Sequence, residues 1–595
     1  MNQDCQSIVE SVINKYHSKS DHLIQILIDI QAQLTYISNE TKALVAKSLN
    51  IEENHISSVV EFYSLLYNKP VGQYRLLFAN NITDQMLGNQ ALANQLTKRL
   101  KIQSNKLSKD GTVSVDFTSC TGLCDQGPAL LVNNLAIPKL TSELVDKIAD
   151  NIENKIPLEK WDQAWFSIEN NIQKKDHLLS SDFKLGDALK SAIKIGRDNF
   201  LANVKTSNLR GRGGAGFLAS IKQASCIETG DGKKVVICNA DEGEPGTFKD
   251  RVLLTSYPER VVEGMLLVAY TIKASIGFIY LRGEYTHLRK PLLNLLEQMR
   301  KDNLLGKSIL GVNDFNFDIE IHMGAGAYIC GEETALIESL EGKPGKPRIR
   351  PPFPVTCGYQ NLPTVVNNVE TLSLLTLIAI NGGDWFKKIG YRNSTGTKIL
   401  SISGDCENPG IYEYQFGVTI QQILEDCGAK NIIAVQVGGP SGICLAPHEF
   451  SRRLAFEDVP SAGAFMVFNN TRHILDVVRN FSGFFAHESC GFCTPCRVGT
   501  TLVKNIIEKI YKGSGTKYEL SELERIGNVM NEASHCGLGQ TAGRVINDTL
   551  IKFRPSYERR LATTDFIPSF NLDASLAKSR SFAGREDEPV LDNTF

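Results

Sequence analysis

The chain has 595 residues, with 64 basic and 66 acidic side chains and a formal net charge of -2 at pH 7. This length predicts about four domains, and the balanced charge excludes a broad polyanion-binding surface, so nucleic acid is not an expected partner. We expect a cytoplasmic protein, because the fourteen cysteines suit a reducing compartment and residues Met1 to Cys5 lack the features of a signal peptide. We expect no membrane span, because the longest apolar stretch, near Leu372 to Ile380, is too short to cross a bilayer.

The first 182 residues predict two small units and a linker. Residues 1–70 carry apolar side chains at helical spacing, as from Leu23 to Ile28, and we expect a helical module. Residues 71–150 alternate strand-like and helical segments, whereas residues 151–182 are rich in Lys, Asn and Asp and are the expected linker. The predicted elements of the second unit are strands at 74–78 and 113–117 and a helix at 90–100.

The rest of the chain predicts three further domains and a tail. Strands alternate with helices in residues 183–395, as in an α/β domain, and residues 396–472 combine short strands with turn signals. Residues 473–554 are predicted to be helical, and residues 555–595 cannot form a core, so this tail either stays mobile or wraps a partner. The predicted elements are strands at 234–238 and 317–321 and helices at 474–485, 501–511 and 520–531.

A glycine-rich run from Gly211 to Gly216 has the spacing that lets backbone approach a phosphate. The segment before it, residues 199–209, is helical or irregular, whereas a standard dinucleotide fingerprint requires a preceding strand. A phosphate loop of another geometry is therefore favoured over a plain flexible turn. Arg210 and Arg212 add positive charge beside the loop, which favours an anionic cofactor.

Two more loops combine glycines with acidic residues. Asn239 to Gly246 follows a predicted strand, which is where open α/β sheets place ligands, and Gly324 to Glu333 again joins a strand to a helix. Solvated loop acids are an alternative of about equal weight for the first loop taken alone. Three such loops in one domain favour a shared ligand pocket.

Three cysteines at two-residue spacing, Cys490, Cys493 and Cys496, are followed by one later cysteine, Cys536. Thiolates spaced in this way can converge on one inorganic cluster, and Cys536 can supply the fourth ligand. Structural zinc is the alternative, but its cysteines usually come as two separated pairs, and buried cysteines without a ligand are a weaker alternative. We therefore predict a 4Fe-4S cluster and a protein that transfers electrons.

Together these motifs resemble the NADH-oxidising flavoprotein subunit of respiratory complex I and its relatives, in order from about residue 183 to 555. The resemblance is carried by Gly211 to Phe217, Asn239 to Gly246, Tyr328 to Glu333, Pro363 to Thr371 and the four cysteines. It implies a multidomain fold of the α/β and α+β classes. Its expected parts are a Rossmann-like FMN- and NAD-binding domain at 183–395, a β-grasp-like (SLBB) domain at 396–472 and a helical bundle at 473–554 that holds the cluster.

The resemblance also supplies the cofactors FMN and NAD and assigns residues to them. It implies that FMN is surrounded by Gly211, Arg212, Gly213, Gly214, Gly216, Lys222, Asn239, Asp241, Tyr328, Gly331, Glu332, Asn367, Asn368 and Thr371. It implies that NAD is faced by Phe217, Glu242, Glu244, Glu333, Arg350 and Phe353, with Glu244 as the candidate catalytic residue. NAD is expected rather than NADP because Glu244 and Glu333 would repel an additional phosphate.

The N-terminal module resembles the thioredoxin-like 2Fe-2S subunit that accompanies this flavoprotein, through Glu61 to Tyr63 and the pair Cys120 and Cys124. That family uses four cysteines, two for each iron. Ala79 and Asp84 stand where the first pair is expected, so we predict a thioredoxin-like unit without a cluster that acts as a scaffold or docking surface.

A fused chain of this kind is most similar to the large diaphorase subunits of soluble NAD-reducing nickel-iron hydrogenases. This implies hydride exchange between NAD(H) and FMN and electron transfer through the cluster, in a hetero-oligomer with a small iron-sulfur diaphorase subunit and hydrogenase subunits. Alternatives are the diaphorase subunit of an NAD-dependent formate dehydrogenase or of a complex I type NADH dehydrogenase. An alternative from another class is a non-catalytic electron-transfer scaffold. Its only support is that residues Gln223 to Ser225 contain no aromatic residue, whereas the family often carries one there.

Overall fold

The structure, a computed structural model, describes residues 3–562 and 572–584. None of the described helices combines the length and the apolar character that a membrane crossing requires. The predicted tail, residues 555–595, lies partly outside the described residues, at 563–571 and 585–595. Its first residues are part of the fold, because Tyr557 is fully buried in the core.

Four helices open the chain. The third begins after Ser38, whose hydroxyl oxygen accepts a hydrogen bond from the Thr41 N–H at 3.0 Å, and it ends at Asn50 in the left-handed conformation. Leu23, Ile24 and Leu27 are buried, as the sequence predicts, and Ile28 is partly buried. The helices are α1 (Gln3–Lys15), α2 (Leu23–Leu34), α3 (Asn39–Leu49) and α4 (Glu53–Phe62).

A small mixed sheet follows, and it confirms the predicted strands and helix of this region. Its strand order is β2-β1-β3-β4, with β1 and β2 parallel and the other neighbours antiparallel. The elements are β1 (Tyr74–Ala79), α5 (Ile82–Met86), α6 (Asn89–Arg99), β2 (Val113–Thr118), β3 (Leu130–Val132), β4 (Leu135–Ile137) and α7 (Ser142–Glu153). An ion pair between Arg251 and Asp125, 3.0 Å apart and fully buried, fixes this unit to the next domain.

The polar segment 151–182 does more than connect two domains. It forms β5 (Ile172–Lys174) and α8 (His177–Ser180). Ile172 pairs in parallel with Ile411 and thereby extends a sheet that lies more than 200 residues further along the chain. The side chain of Glu413 accepts hydrogen bonds from the Leu178 and Leu179 N–H groups at 2.7 and 2.8 Å, so the segment is firmly held.

The central domain is built on a parallel sheet of order β8-β7-β6-β9. Because the order reverses between β6 and β9, the loops that follow these strands diverge and leave a crevice at their carboxyl ends. The elements are α9 (Asp187–Ile195), α10 (Arg197–Ser207), α11 (Ala219–Ile227), β6 (Val235–Ala240), α12 (Lys249–Ser256), α13 (Pro258–Ile272), β7 (Ile276–Leu281), α14 (Thr286–Lys301), β8 (Asp318–Met323), α15 (Glu333–Leu340), β9 (Thr364–Asn368), α16 (Val369–Asn381) and α17 (Gly383–Lys387).

Both faces of the central sheet are buried, as expected for parallel strands. Val236 and Cys238 of β6 face a core that contains α13 and α16, whereas Val235 and Ile237 belong to the core shared with the N-terminal helices and α15. The side chain of Gln25 hydrogen-bonds the backbone of Met323 in both directions, at 2.8 and 3.1 Å. The N-terminal helices thus cover one side of the central domain.

Residues 397–469, together with β5, form a second mixed sheet with one helix against it, and residues 390–395 form a separate two-stranded sheet. The sheet order is β15-β14-β16-β12-β13-β5, and the buried side of α18 packs on the sheet through Ile420 and Ile423, a β-grasp-like arrangement. The elements are β10 (Gly390–Tyr391), β11 (Ser394–Thr395), β12 (Thr397–Gly404), β13 (Gly410–Gln415), α18 (Ile420–Asp426), β14 (Ile432–Val437), β15 (Ile443–Leu445) and β16 (Ala464–Asn469).

The last domain is helical, as predicted. Thr516 and Glu519 form a capping box at the start of α21, and the faces of α20 and α21 meet through buried residues such as Ile507 and Leu523. The helices are α19 (Ile474–Glu488), α20 (Thr494–Tyr511), α21 (Lys517–Ala533), α22 (Gly537–Ala542), α23 (Arg544–Lys552), α24 (Arg554–Glu558) and α25 (Leu572–Ala583).

Candidate functional site

A cavity of about 520 Å³ lies in the crevice after β6 and β9. Its volume is in the range of sites that hold cofactors. Ten of the predicted residues line it: Gly213, Gly214, Asn239, Asp241, Glu242, Glu244, Tyr328, Gly331, Glu332 and Asn368. Part of the remaining wall comes from the β-grasp-like and helical domains, which the sequence did not indicate, and this part includes Ser441, Ser461, Leu538 and Arg544. The turn signal at Gly438 to Pro440 was the only feature that could have pointed to Ser441.

The glycine-rich loop enters this cavity without a preceding strand, as predicted. Gly211 N–H bonds the Phe217 carbonyl at 2.8 Å and closes the loop. Gly214 has a φ of 117°, and a Cβ on Gly216 would meet the Phe456 ring at 2.7 Å, so both positions require glycine. The loop therefore exposes backbone to the cavity through Gly213 and Gly214.

The structure does not place Arg212 where the sequence suggested. Its buried guanidinium donates to the carbonyls of Thr395 and Thr397 at 2.7 and 3.0 Å and stacks on the Phe416 ring at 4.8 Å. Its backbone N–H bonds the Thr371 hydroxyl at 2.8 Å. Arg212 and Thr371 therefore hold the glycine loop against the β-grasp-like domain, and the charge of Arg212 does not reach the cavity.

Lys249, which the sequence analysis missed, is a buried cation in the cavity wall. Its Nζ lies 2.6 Å from an oxygen of Asp250, 3.1 Å from Glu370 and 3.3 Å from the Asn368 side-chain oxygen. These carboxylates raise its pKa despite its burial. Asn368 also caps α16, so one network sets the position of Lys249 and of the helix. The lysine thus fixes the wall and keeps its charge.

Burial changes the protonation of the acidic loop after β6. It raises the pKa of Asp241 well above its ordinary range and raises those of Glu242 and Glu244 to about 7. These carboxyl groups therefore repel an anionic cofactor less than three exposed acids would. This cavity suits a largely apolar ring bearing a phosphate.

Asp241 is the clearest unused ligand in the cavity. Asn239 positions it by accepting the Asp241 N–H at 3.1 Å while donating to the Gly331 carbonyl at 2.8 Å. The Asp241 Oδ2 and the Asn367 Nδ2 are buried and have no hydrogen-bond partner. Orphaned polar atoms of this kind are costly unless a ligand satisfies them. They fit the hydroxyl-bearing side chain and the ring edge of FMN.

Glu244 lies at the centre of a second hydrogen-bonded group. Its carboxylate accepts the Tyr328 hydroxyl, the Ser441 N–H at 2.8 Å and the Ser441 hydroxyl at 2.9 Å. The loops after β6, β8 and β14 therefore meet at one carboxylate. Glu244 is placed to orient a ligand through Tyr328 and Ser441.

Two other acids in the cavity wall are occupied by helix termini. Glu242 accepts the N–H groups of Asp250 and Arg251 at 3.0 and 3.1 Å. Glu332 caps α15 by accepting the N–H groups of Thr334 and Ala335, each at 2.9 Å. The oxygens of Glu242 and Glu332 therefore already accept hydrogen bonds from the protein. Glu242 is thus less available to a ribose hydroxyl of NAD than the sequence analysis expected.

The remaining residues assigned to NAD, which we call the rim, do not line the cavity, and Arg350 among them lies 3.9 Å from the wall residue Glu332. Phe217 and Phe353 are 50% and 52% exposed, which is unusual for phenylalanine and suits ring stacking. Glu333 pairs with Lys222 at 2.6 Å, and Arg350 is 3.9 Å from Glu333. This pairing weakens the repulsion of an extra phosphate that the sequence analysis ascribed to Glu333.

The four cysteines Cys490, Cys493, Cys496 and Cys536 surround one small cavity, with Ile329, Phe492 and Leu538 beside them. Cys493 precedes the first turn of α20, and Cys536 precedes α22. The chain therefore brings together the run and the remote cysteine, as the sequence predicts. Burial raises the pKa of Cys496 to about 12 and that of Cys536 to about 11, so loading of a metal would displace their protons.

The spacing of these thiols separates the iron-sulfur and zinc alternatives. A tetrahedral zinc ion with Zn–S bonds of about 2.3 Å requires sulfur atoms about 3.8 Å apart. Among the described residues, only one set of three potential metal-ligand atoms lies within 4.8 Å of one another. None of the three atoms belongs to a cysteine. No three of the four sulfur atoms are therefore within the spacing that one zinc ion requires, which favours a multi-iron cluster.

The two cavities are neighbours. Ile329 and Leu538 line both the cavity after β6 and the cavity between the cysteines. Tyr328 N–H, one residue before Ile329, bonds Glu488 at 3.0 Å, and Glu488 precedes Cys490 by two residues. A cofactor in the larger cavity would be separated from a cluster by little more than these apolar side chains.

The pair Cys120 and Cys124 has different surroundings. The two sulfur atoms are 3.6 Å apart, and their hydrogen bond lowers the pKa of Cys120 and raises that of Cys124. Asp84 bonds the Asn81 amide at 2.6 Å and the Ala129 N–H at 2.8 Å, and burial raises its pKa to about 8. Its oxygens are thus engaged by the protein, which does not suit a cluster ligand.

Family models match three segments. Residues 204–376 match the Nuo51 FMN-binding domain, residues 9–153 match the thioredoxin-like [2Fe-2S] ferredoxin, and residues 476–560 match the NADH-ubiquinone oxidoreductase-F iron-sulfur binding region. The second match spans both the N-terminal helices and the small mixed sheet.

Similar proteins were found among curated relatives and solved structures. The chain is 39% identical over 585 residues to the NAD-reducing hydrogenase HoxS subunit alpha of Cupriavidus necator, with 96% of this chain and 97% of the relative covered. It is 38% identical over 406 residues to an NADH-quinone oxidoreductase subunit of Aquifex aeolicus, which covers 66% of this chain and 94% of the relative. A crystal structure of an NAD+-reducing [NiFe]-hydrogenase in the H2-reduced state matches with a TM-score of 0.88 and 40% identity, over 96% of this chain and 97% of that one.

Proposed function

The chain belongs to the family of NAD-reducing hydrogenase alpha subunits, and from this membership we propose how its residues perform the family's reaction. The protein is the diaphorase subunit of a hetero-oligomeric hydrogenase and an NADH dehydrogenase component. It exchanges hydride between NAD(H) and FMN and passes single electrons through a 4Fe-4S cluster to or from a partner. The observation that carries the proposal is that Ile329 and Leu538 line both cavities.

We assign FMN to the cavity after β6 and β9. Gly213 and Gly214 would bring backbone close to its phosphate, and the orphaned oxygen of Asp241 would accept a hydrogen bond from one of its hydroxyl groups. When bound, FMN supplies hydride exchange with the nicotinamide and one-electron transfer to the cluster. The protein contributes position and electrostatics.

We assign the nicotinamide nucleotide to the rim. Phe217 and Phe353 offer exposed rings for stacking, and Arg350 offers a cation 3.9 Å from Glu333. Glu244 is the proposed positioning residue at the junction of rim and cavity, because it holds Tyr328 and Ser441. No side chain in this arrangement is required to add or remove a proton during hydride exchange.

The four cysteines would hold the cluster on the side of the cavity that faces the helical domain. Ile329 and Leu538 place apolar side chains between the two sites, which would limit the access of water there. The thioredoxin-like unit would act as a docking surface without a cluster. We also propose a cytoplasmic location, because all fourteen cysteines are free, as a reducing compartment requires.

The test is dye reduction by the full chain reconstituted with FMN, iron and sulfide. We expect NADH to reduce both ferricyanide and a viologen dye. Cys536→Ser should retain FMN while losing the cluster absorption and the viologen reaction. Absence of turnover despite full flavin occupancy would support the scaffold alternative. Cell fractionation beside a cytoplasmic marker tests the location.

A further inference from the structure

Outside the two cavities, the seam between the N-terminal helices and the central sheet contains a cluster of metal-ligating side chains: His22, Glu320 and His322. Among the residues the structure describes, this is the only set of three or more ligand atoms from histidine, cysteine, aspartate or glutamate within 4.8 Å of one another. Glu320 and His322 are two residues apart on β8 and so share one face of the strand. His22 directly precedes α2.

We propose that His22, Glu320 and His322 form a binding site for a divalent transition-metal ion such as Zn2+, which clips the N-terminal helices to the central domain. The His22 Nε2 lies 2.9 Å from the Glu320 Oε1, and the His322 Nε2 lies 3.6 Å from the same oxygen. An ion among these atoms would take two imidazole nitrogens and one carboxylate oxygen as ligands. Zinc and iron(II) accept this set, whereas Mg2+ and Ca2+ prefer oxygen ligands.

His322 provides the first independent sign of a ligand. It is only 3% exposed, and its Nε2 has no hydrogen-bond partner. At 3.6 Å, the Glu320 oxygen is too far away for a hydrogen bond. The His322 ring packs edge-on against Phe278, with 5.2 Å between the ring centroids, so the rest of the core holds its orientation. An ion bound by the His322 Nε2, His22 and Glu320 would give this buried nitrogen the partner that it lacks.

The shell around His22 provides the second sign. Asp21 accepts a hydrogen bond from the His22 Nδ1 at 2.8 Å, and the His22 Nε2 is hydrogen-bonded to the Glu320 Oε1 at 2.9 Å, a bond that the proposed ion would replace. The other Asp21 oxygen accepts the Tyr359 hydroxyl and the Gln360 side-chain amide, each at 2.8 Å. A carboxylate behind a histidine is the usual support for a metal ligand because it fixes the tautomer and the ring.

The proposed metal site is open to solvent on one side and joins two distant parts of the chain. The Glu320 side chain is 54% exposed, which leaves room for water as a fourth ligand. His22 and Glu320 are 298 residues apart, and Gln25 bonds Met323 across the same seam. Because β8 leads into the loop that carries Tyr328, an ion here would stabilise the strand behind the cofactor cavity without contacting the cofactor.

Zinc content and affinity test the proposal on the full chain loaded with FMN and cluster. After exposure to Zn2+ and desalting, we expect about one zinc per chain at unchanged iron content, with the zinc measured by mass spectrometry. Glu320→Gln and His322→Ala should each weaken zinc binding in calorimetry by at least about 100-fold, and Asp21→Asn should weaken it by about 10- to 100-fold. His448→Ala, which removes an exposed histidine elsewhere, should bind zinc like the wild type.

A second measurement distinguishes loss of the metal site from misfolding of a variant. Zn2+ should raise the thermal midpoint of the wild type and of His448→Ala but not that of Glu320→Gln. Glu320→Gln should keep the NADH–ferricyanide activity of the wild type, which would show that it is folded. Failure of the wild type to retain zinc, or equal zinc affinity in the wild type, Glu320→Gln and His322→Ala, would overturn the proposal.

Discussion

The carboxylate of Glu488 accepts the backbone N–H of Tyr328 at 3.0 Å. Glu488 ends α19 two residues before Cys490, and Tyr328 forms a wall of the cavity that we assign to FMN. The other oxygen of Glu488 accepts the Ser119 hydroxyl of the thioredoxin-like unit. One side chain therefore joins three domains where the two redox sites meet.

Glu488→Ala should slow electron transfer from flavin to cluster more than it lowers flavin content. It leaves the Tyr328 N–H without a partner, which costs about 1–3 kcal/mol and loosens the wall between the sites. Stopped-flow reduction of the cluster by NADH measures the rate. Glu488→Gln, whose carbonyl oxygen can still accept, is the matched control. Equal rates in Glu488→Ala and wild type would contradict the role given to this contact.

Glu244→Gln should raise the KM for NADH while FMN content stays near that of the wild type. The amide keeps the shape of the side chain but changes its bonds with Tyr328 and Ser441, which line the cavity. Steady-state kinetics and flavin fluorescence after desalting measure the two effects. Ser441→Ala, which removes one bond to Glu244, should shift KM in the same direction by less. Loss of FMN at unchanged KM would contradict the assignment.

The same carboxyl group should make stability depend on pH. Burial raises the pKa of Glu244 from its ordinary 4.5 to about 7, so between these values the native chain holds a proton that the unfolded chain has released. Stability should therefore fall as pH rises through this window, by at most about 3 kcal/mol from this group. Denaturant unfolding at pH 5, 6, 7 and 8 should show a smaller fall for Glu244→Gln. Parallel curves for the two proteins would contradict this.

Asp241→Ala should weaken FMN binding by about 10- to 100-fold, because it removes a buried oxygen that otherwise has no partner. Asp241→Asn should lose less, since the pKa of Asp241 is raised well above its ordinary range and the amide resembles the protonated acid. Fluorescence titration of the flavin-free chain measures both. Tighter binding by the alanine variant than by the asparagine variant would exclude the proposed contact.

The double variant Cys120→Ala, Cys124→Ala should retain the iron content of the wild type, about four atoms per chain for a single 4Fe-4S cluster. The two thiols bond each other, and the Asp84 oxygens are occupied by Asn81 and Ala129. Iron analysis after reconstitution measures the content, with Cys536→Ser as the control that should lose it. A drop of about two iron atoms in the double variant would reveal a 2Fe-2S cluster.

The cluster and the loops that carry the flavin site could be recognised from the sequence because their chemistry is local. The two-residue spacing of Cys490, Cys493 and Cys496 brings three ligands together, and the acidic loop after β6 follows a strand whose apolar run is evident. The role of Arg212 was misjudged because nothing nearby in sequence shows that Thr395 and Thr397 supply its hydrogen-bond acceptors.

The amino-acid sequence by itself determined many of the strands and helices and indicated the four cysteines that surround one small cavity, because spacing, periodicity and turn chemistry act over a few residues. Only the tertiary structure decided that Ser441 meets Glu244, that β5 completes a sheet with β13, and that His22 meets His322. These partners are separated by about 200 to 300 residues, so their contact depends on how whole domains pack, and no short-range pattern records it.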